Sequence, residues 1–246
     1  MAKRTVIKLS GEAIGDSKSA SGYNDQVIDS IVGQITKAMQ AGTDAALVIG
    51  GGNLWRGLHA RPDMCRVQAD YMGMLATVMN ALYLAEAFRR QGAKAEVVTP
   101  VPFGNMTRVY DVGQALVLMA DKTVLINAAG LGHPYFSTDT VTALRAAELG
   151  ADIILYAKNI DGVYDSDPRK NPEARKFKTL SYRTAIQKGL KVADLAAMHL
   201  ANDACIPSYV FGLNTPDSII DACAYPNTNL LNGTYIDVDA DSSYYN

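Results

Sequence analysis

The residues best able to do chemistry cluster just after short apolar runs. In LVIGGGNLWRG, residues 47–57, three consecutive glycines are followed by Asn53, Trp55 and Arg56. A glycine run costs backbone entropy, so a chain that keeps one needs bare backbone there. Successive amides leaving a strand make a concave anion site, and the guanidinium fork of Arg56 can hold two phosphate oxygens at once. The theme recurs. IKLSGEA (7–13) carries Lys8, Leu9, Ser10 and Gly11 across a strand exit, LGHPYFSTDT (131–140) follows TVLINAAG, and KNIDGVYDSDP (158–168) follows another apolar run. Four such loops on one edge of one sheet make a long cleft for a polyanion.

Standard nucleotide motifs do not account for these loops. There is no G-x-x-x-x-G-K-[ST], and the Gly50 segment fails G-x-G-x-x-G because its sixth position is Trp55. Of three histidines, His59, His133 and His199, only His133 falls in one of the loops. The three cysteines (Cys65, Cys205, Cys223) are scattered without metal-type spacing and read as buried thiols in a reducing cytoplasm.

The elements that must position the loops alternate. Strand-like runs stand at RTVIKL, DAALVIG, AEVVT, TVLINA, DIILYA, SYVFG and GTYID. Helical spacing covers about 24–41, 64–91, 109–120, 138–149, 181–189 and 193–204. Alternation of apolar strands with helices predicts an α/β fold with a central, mostly parallel sheet. At 246 residues the chain is one large domain or two small ones, with the best candidate seam near residue 150. Within the helix at 64–91, Val67, Tyr71, Leu75, Val78 and Leu82 share a face, and Met72, Met79 and Tyr83 widen it. Such a helix is covered on both sides, either deep in the core or at a subunit interface. Asp70 interrupts it, either as part of a polar edge or for a specific polar partner.

Bulk properties bound the alternatives. With 246 residues, 48% hydrophobic, 20% charged and a net charge of −2, the chain is an ordinary globular protein and a poor general nucleic-acid binder. No stretch approaches the roughly 18 uncharged apolar residues of a membrane helix, and MAKRTVIKLSGEA is no signal peptide. Residues 168–191 carry eight Lys or Arg against Glu173 alone, as a solvated basic loop or as a basic lid near a polyphosphate. DVDADSSYYN lacks periodicity and is expected to fray past Ile236.

Taken together, KLSGEA, VIGGGNLWRG, RVQADYMGMLATVMNAL, FSTDT, KNIDGVYDSDP and KVADLAA resemble the bacterial uridylate (UMP) kinases of the amino acid kinase fold family. The likeness runs in one order from about Lys3 to about Ile236, and it implies a single domain over residues 1–246, a three-layer α/β/α sandwich around a central twisted, mostly parallel sheet. It implies phosphoryl transfer from ATP, with Mg²⁺, to UMP in pyrimidine nucleotide biosynthesis. Residues from about 1 to 150 would mainly hold the acceptor, and residues from about 151 to 246 the donor. Lys8 would lie against the transferring phosphoryl group, with Leu9, Ser10, Gly11 and Gly52 around the ATP phosphates. Gly51 would lie beside the UMP phosphate, Arg56 would grip it, and Asp70 would accept from the ribose hydroxyls. Leu131, Gly132, His133, Pro134, Tyr135, Phe136, Ser137 and Thr138 would wrap the uracil, with Thr138 as its side-chain contact. Lys158, Asn159, Tyr164 and Asp167 would surround ATP. Asp139 and Asp167 would hold Lys8 and reach Mg²⁺, with the roles undivided between them.

The chemistry agrees with that implication, because a phosphate acceptor is already ionised and needs no general base. What is needed is cations and amides that bring two polyanions together. Plainer readings stand beside these: Lys8 as an edge-strand lysine, Arg56 as a loop cap, Tyr164 as packing, His133 as a surface residue. The resemblance also implies a homohexamer built from dimers, GTP activation, UTP inhibition and a cytoplasmic location. Two other functions remain to be weighed. A relative acting on a carboxylate or carbamate would have no use for Arg56 and Asp70, and a non-catalytic nucleotide sensor would be expected to lack Lys8 or the acids.

Overall fold

Strands that are apolar at nearly every position belong in a sheet covered on both faces. The computed structural model, which describes residues 3–57, 61–213, 215–224 and 232–245, builds one such sheet; His59 lies outside the described residues. Its strands are β1 (Lys3–Leu9), β2 (Thr43–Ile49), β3 (Ala95–Thr99), β4 (Arg108–Val109), β5 (Val124–Asn127), β6 (Ile153–Lys158), β7 (Phe177–Ser181), β8 (Ser208–Gly212), β9 (Gly233–Asp237) and β10 (Ser243–Tyr244). They lie in the order β10-β7-β9-β8-β6-β1-β2-β5-β3-β4. All pairings are parallel except β8 with β9 and β7 with β10. Strands from the first half of the chain flank β1 on one side, and strands from the second half flank it on the other.

Alternate strand residues feed two cores. Ile7, Leu9, Leu47, Ile49, Ile126 and Leu155 face α2 (Asp25–Gln40), α3 (Arg66–Arg90) and α8 (Ser218–Ala224). Val6, Val48, Leu125, Ile154 and Tyr156 face α4 (Val112–Ala120), α5 (Thr138–Leu149), α6 (Tyr182–Gln187) and α7 (Leu195–Asp203). The expected three-layer sandwich with a mostly parallel sheet is what forms. Helix starts follow capping chemistry: Asn24, Asp111, Ser137, Ser181 and Asp194 each accept a backbone N–H of the first turn. Gly150, at φ 59°, closes α5 in the left-handed conformation that glycine tolerates.

Three expectations are corrected. The C-terminal tail does not fray past Ile236: β9 runs to Asp237, and β10 pairs antiparallel with β7. The Tyr244 ring stacks on Phe177 with centroids 4.3 Å apart, and the Arg175 guanidinium lies 3.9 Å from its centroid. Second, Cys65 and Cys205 are exposed, and only Cys223 is buried. Third, α3 buries Ala76, Val78, Ala81, Leu84, Ala85 and Phe88 but leaves Tyr71, Met72, Leu75 and Met79 between 38% and 56% exposed. Within one chain this helix is therefore not covered on both sides, which corrects the deep-core alternative and leaves the subunit-interface alternative standing.

Candidate active site

β6, β1, β2 and β5 are parallel neighbours, so their carboxyl ends at Lys158, Leu9, Ile49 and Asn127 leave the sheet on one edge. Ligands of open α/β sheets bind at that edge. All four loops singled out from the sequence begin there.

The first two loops interlock. A Cβ on Gly11 would stand 2.5 Å from Asn53 Oδ1 and 2.6 Å from the Gly50 carbonyl oxygen. One on Gly51 would stand 2.8 Å from the Gly73 carbonyl oxygen and 2.9 Å from Ala76 Cβ. Neither glycine has positive φ. What each supplies is close approach of backbone to backbone. Asn80, fully buried on α3, fastens the pair of loops. Its Nδ2 donates to the Gly50 carbonyl (2.7 Å) and to Asn53 Oδ1 (2.7 Å), and its Oδ1 accepts from the Tyr23 hydroxyl (3.0 Å). Ser10 caps the short helix α1 (Gly11–Ile14), accepting from the Glu12 amide, while Leu9 is core. Arg56 forms an ion pair with Glu12, and both side chains flank the open side of Gly52.

Next to these loops lies a pair of partly buried opposite charges. Lys8 Nζ donates to Asp139 Oδ1 at 2.6 Å, with the side chains 14% and 21% exposed. Asp139 reaches this place because Ser137 starts α5 and sets its first turn against the end of β1. Burial pushes the Asp139 carboxyl up, but the Lys8 charge and hydrogen bond, the Lys158 charge and the Asp194 amide outweigh it and hold it below its ordinary 3.8. Burial pushes Lys158 below 10.5, with Asp139 opposing and Lys8 adding to the effect. Lys158 Nζ donates to the Val192 carbonyl. The two lysines and one carboxylate thus form a compact, net positive cluster.

The acceptor-side residues surround a cavity of about 170 Å³, bounded by Gly51, Asp70, His133, Phe136 and Thr138 together with Trp55, Gly57, Ala69, Gly73, Met74, Thr77 and Gly130. Trp55 is anchored there by its indole N–H, which donates to the Ala69 carbonyl at 2.8 Å. Asp70 is not a free polar edge. Both its oxygens accept from Arg66 Nε (2.8 and 2.9 Å), and Oδ2 accepts from the Tyr135 amide at 2.9 Å. Of the segment expected to wrap a base, Leu131 packs into the α4/α5 core and Ser137 turns its hydroxyl to Asp194. Gly132, at φ 79°, packs against Pro100 and Val101, and Pro134 is half-buried.

The donor-side residues are more dispersed. Asn159 is exposed just past β6. Tyr164 donates to Asp161 Oδ1 at 2.9 Å, and burial together with that hydrogen bond pushes its phenol up to about 12. Asp161 also pairs with Lys176 at 2.8 Å. Asp167 Oδ1 accepts from the Arg169 amide at 3.0 Å. A larger cavity, about 590 Å³, opens at the opposite edge of the sheet between α6, α7 and the chain after β9, and none of the expected site residues lines it.

Two residues at the site escape sequence reasoning. Asn80 is one, readable only as a polar residue on an apolar helix. The other is Asp194, within the KVADLAA motif. It caps α7 and accepts from Ser137 Oγ and Thr140 Oγ1, so it ties the α5 start to the donor half.

The comparisons with known proteins agree. Residues 3–212 match the amino acid kinase family model. The uridylate kinases of two Streptococcus thermophilus strains are 46% identical over 219 residues, covering 88% of this chain and 89% of theirs. Among solved structures, UMP kinase from Bacillus anthracis superposes with a TM-score of 0.92 at 33% identity, covering 100% of this chain and 99% of that one. UMP kinase from Ureaplasma parvum gives 0.89 at 34%, covering 96% and 99%. Uridylate kinase from Archaeoglobus fulgidus gives 0.70 at 27%, covering 96% and 100%. The chain belongs to the amino acid kinase family, on its uridylate kinase branch.

Proposed function

We propose that this chain transfers the γ-phosphoryl group of MgATP to UMP, giving ADP and UDP for pyrimidine nucleotide synthesis. The observation that carries this reading is the juxtaposition of the Lys8–Asp139–Lys158 cluster with a small cavity holding Asp70 at its wall. The acceptor oxygen is ionised at neutral pH, so the residues have only to bind, align and neutralise. Lys8 balances charge on the transferring group, and Asp139 aims it. Lys158 adds a second cation beside the donor phosphates. Arg56 leaves Glu12 for the UMP phosphate, where a fork fits better than a point charge. Asp70 takes the ribose, and Phe136, Thr138 and their neighbours enclose the uracil. Leu9, Ser10, Gly11, Gly52, Asn159 and Tyr164 line the donor path.

Mg²⁺ fits as an ion brought by the nucleotide. Among the described residues no three His, Cys, Asp or Glu side chains could cage a metal. Magnesium on a triphosphate takes most of its ligands from phosphate oxygens and water. Asp167 is the acid left to approach it, since Asp139 is committed to Lys8. When bound, the ion supplies positive charge to the phosphate oxygens.

The exposed Tyr71, Met72, Leu75 and Met79 face of α3 suits a dimer contact, and we extend this to a homohexamer of dimers with GTP as activator and UTP as inhibitor. No described helix is long and apolar enough to cross a membrane; a cytoplasmic location is part of the same reading. The test is ADP production from MgATP with UMP, CMP, dTMP, AMP and glutamate offered as acceptors. UMP-selective turnover is expected. Turnover with glutamate alone would discard the acceptor assignment, and tight nucleotide binding without turnover would point to a sensor.

A further inference from the structure

Asp70 has a neighbour that none of the roles above uses. Arg66, one helical turn earlier on α3, gives its Nε to both Asp70 oxygens, at 2.8 and 2.9 Å. Its guanidinium carbon lies 5.3 Å from the Tyr135 ring centroid, within cation–π range. Tyr135 in turn donates its amide to Asp70 Oδ2 and stands at φ 71°, a left-handed conformation that non-glycine residues seldom hold. The three residues therefore close a ring of contacts: Arg66 to Asp70, Asp70 to the Tyr135 backbone, and the Tyr135 ring back to Arg66. Of the three, Asp70 lines the 170 Å³ cavity, and the ring fastens segment 131–137 to the start of α3 behind it.

Two consequences follow for the carboxylate. A charge-assisted bond from a planar guanidinium to both oxygens fixes the plane of the Asp70 carboxylate. A carboxylate offers about four lone-pair positions, so the bonds from Arg66 and Tyr135 leave capacity on the cavity side for a hydroxyl donor. Without Arg66, Asp70 would be held only by the Tyr135 amide, and the Tyr135 ring would lose its cationic partner.

We infer that Arg66 is a positioning residue for the acceptor: by orienting Asp70 and holding Tyr135 it sets the preference of the cavity for a ribonucleotide over a 2′-deoxyribonucleotide. This rests on the reading of Asp70 as the ribose acceptor, and the experiment separates the two. KM and kcat are measured for UMP and dUMP with wild type, Arg66→Ala, Arg66→Lys and Asp70→Asn. Arg66 is half exposed, and thermal melting of each variant checks that it folds.

Arg66→Ala is expected to raise KM for UMP about tenfold, the loss of roughly one well-aligned charged hydrogen bond. Its kcat and its KM for ATP should hold, and its KM for dUMP should change by less than about threefold. Arg66→Lys keeps the charge without the planar stack and should fall between, which also covers the case in which the alanine variant does not fold. A purely structural role would move UMP and dUMP alike, and that result, or no change in either, overturns the inference. If Asp70→Asn narrows the UMP/dUMP ratio while Arg66→Ala does not, Arg66 alone is misassigned. If Asp70→Asn leaves the ratio untouched, or wild type does not discriminate, the ribose reading fails and takes this inference with it.

Discussion

The two sides of the candidate site are built differently. On the acceptor side, side chains are locked to backbone: Asn80 to the Gly50 carbonyl, Trp55 to Ala69, and Asp70 to the Tyr135 amide. The cavity they bound exists before any ligand arrives. On the donor side the contacts are made mostly by charged side chains, to one another and to backbone: Tyr164 and Lys176 meet the Asp161 carboxylate, Asp167 accepts from the Arg169 amide, and Lys158 donates to the Val192 carbonyl. A polyphosphate entering there must exchange those partners for its own oxygens. Small, specific acceptors reward a preformed wall, because little ordering cost is left to pay on binding. A highly charged donor can supply the energy for re-pairing itself.

The sharpest way to break this comparison is at the border between the sides. Lys8→Ala should lower kcat about a thousandfold, or ~4 kcal/mol of transition-state stabilisation, with UMP affinity nearly unchanged. Steady-state kinetics alongside UMP calorimetry checks it. An equal loss in binding would make Lys8 part of the acceptor wall instead. Next in size, Asn80→Leu should cost roughly 2–4 kcal/mol of folding stability, because the Gly50 carbonyl, the Asn53 amide and the Tyr23 hydroxyl lose a buried partner. Urea unfolding measures this. A loss under 1 kcal/mol would mean that the glycine loops hold without the clamp.

A smaller effect concerns pH on the donor side. The Lys158 value in the folded chain lies below 10.5, so its charge is lost earlier than in the unfolded chain as pH rises. Between the two values the unfolded chain binds more protons, so this group's contribution to stability rises with pH. Its contribution to catalysis falls over the same window. Lys158→Arg should keep turnover to higher pH, as a pH–rate profile would show, and an unchanged alkaline limb would remove Lys158 from the phosphates. Asp139 contributes with the same sign, in an acid window. With its folded value below 3.8, the stability it lends is present above that range and is lost as pH falls through the folded value.

The contrast between the sides also explains how much the sequence could show. The strands that carry the site announce themselves as unbroken apolar runs, and Ser137 and Gly150 mark the ends of α5 at the positions the spacing predicts. What stays hidden depends on contacts distant in sequence. β7 lies within a basic stretch, where Phe177 and Leu180 point inward among lysines and read as loop. β10 lies in a polar tail that makes sense only once Tyr244 meets Phe177. The glycines show the limit most clearly. Their spacing suggests bare backbone for an anion, while the structure adds that Gly11 and Gly51 are required by the loops' approach to each other and to α3. Asp194 caps α7 in the structure. Its second task, accepting from Ser137 and Thr140, appears only when α5 and α7 are side by side.

The most direct test of the account is calorimetry of UMP binding with and without a non-hydrolysable ATP analogue and Mg²⁺. A preformed acceptor wall predicts that UMP binds alone, with a Kd within about threefold of the value in the presence of the analogue, a difference of ~0.7 kcal/mol or less. Binding of UMP only after the donor nucleotide is in place would contradict it.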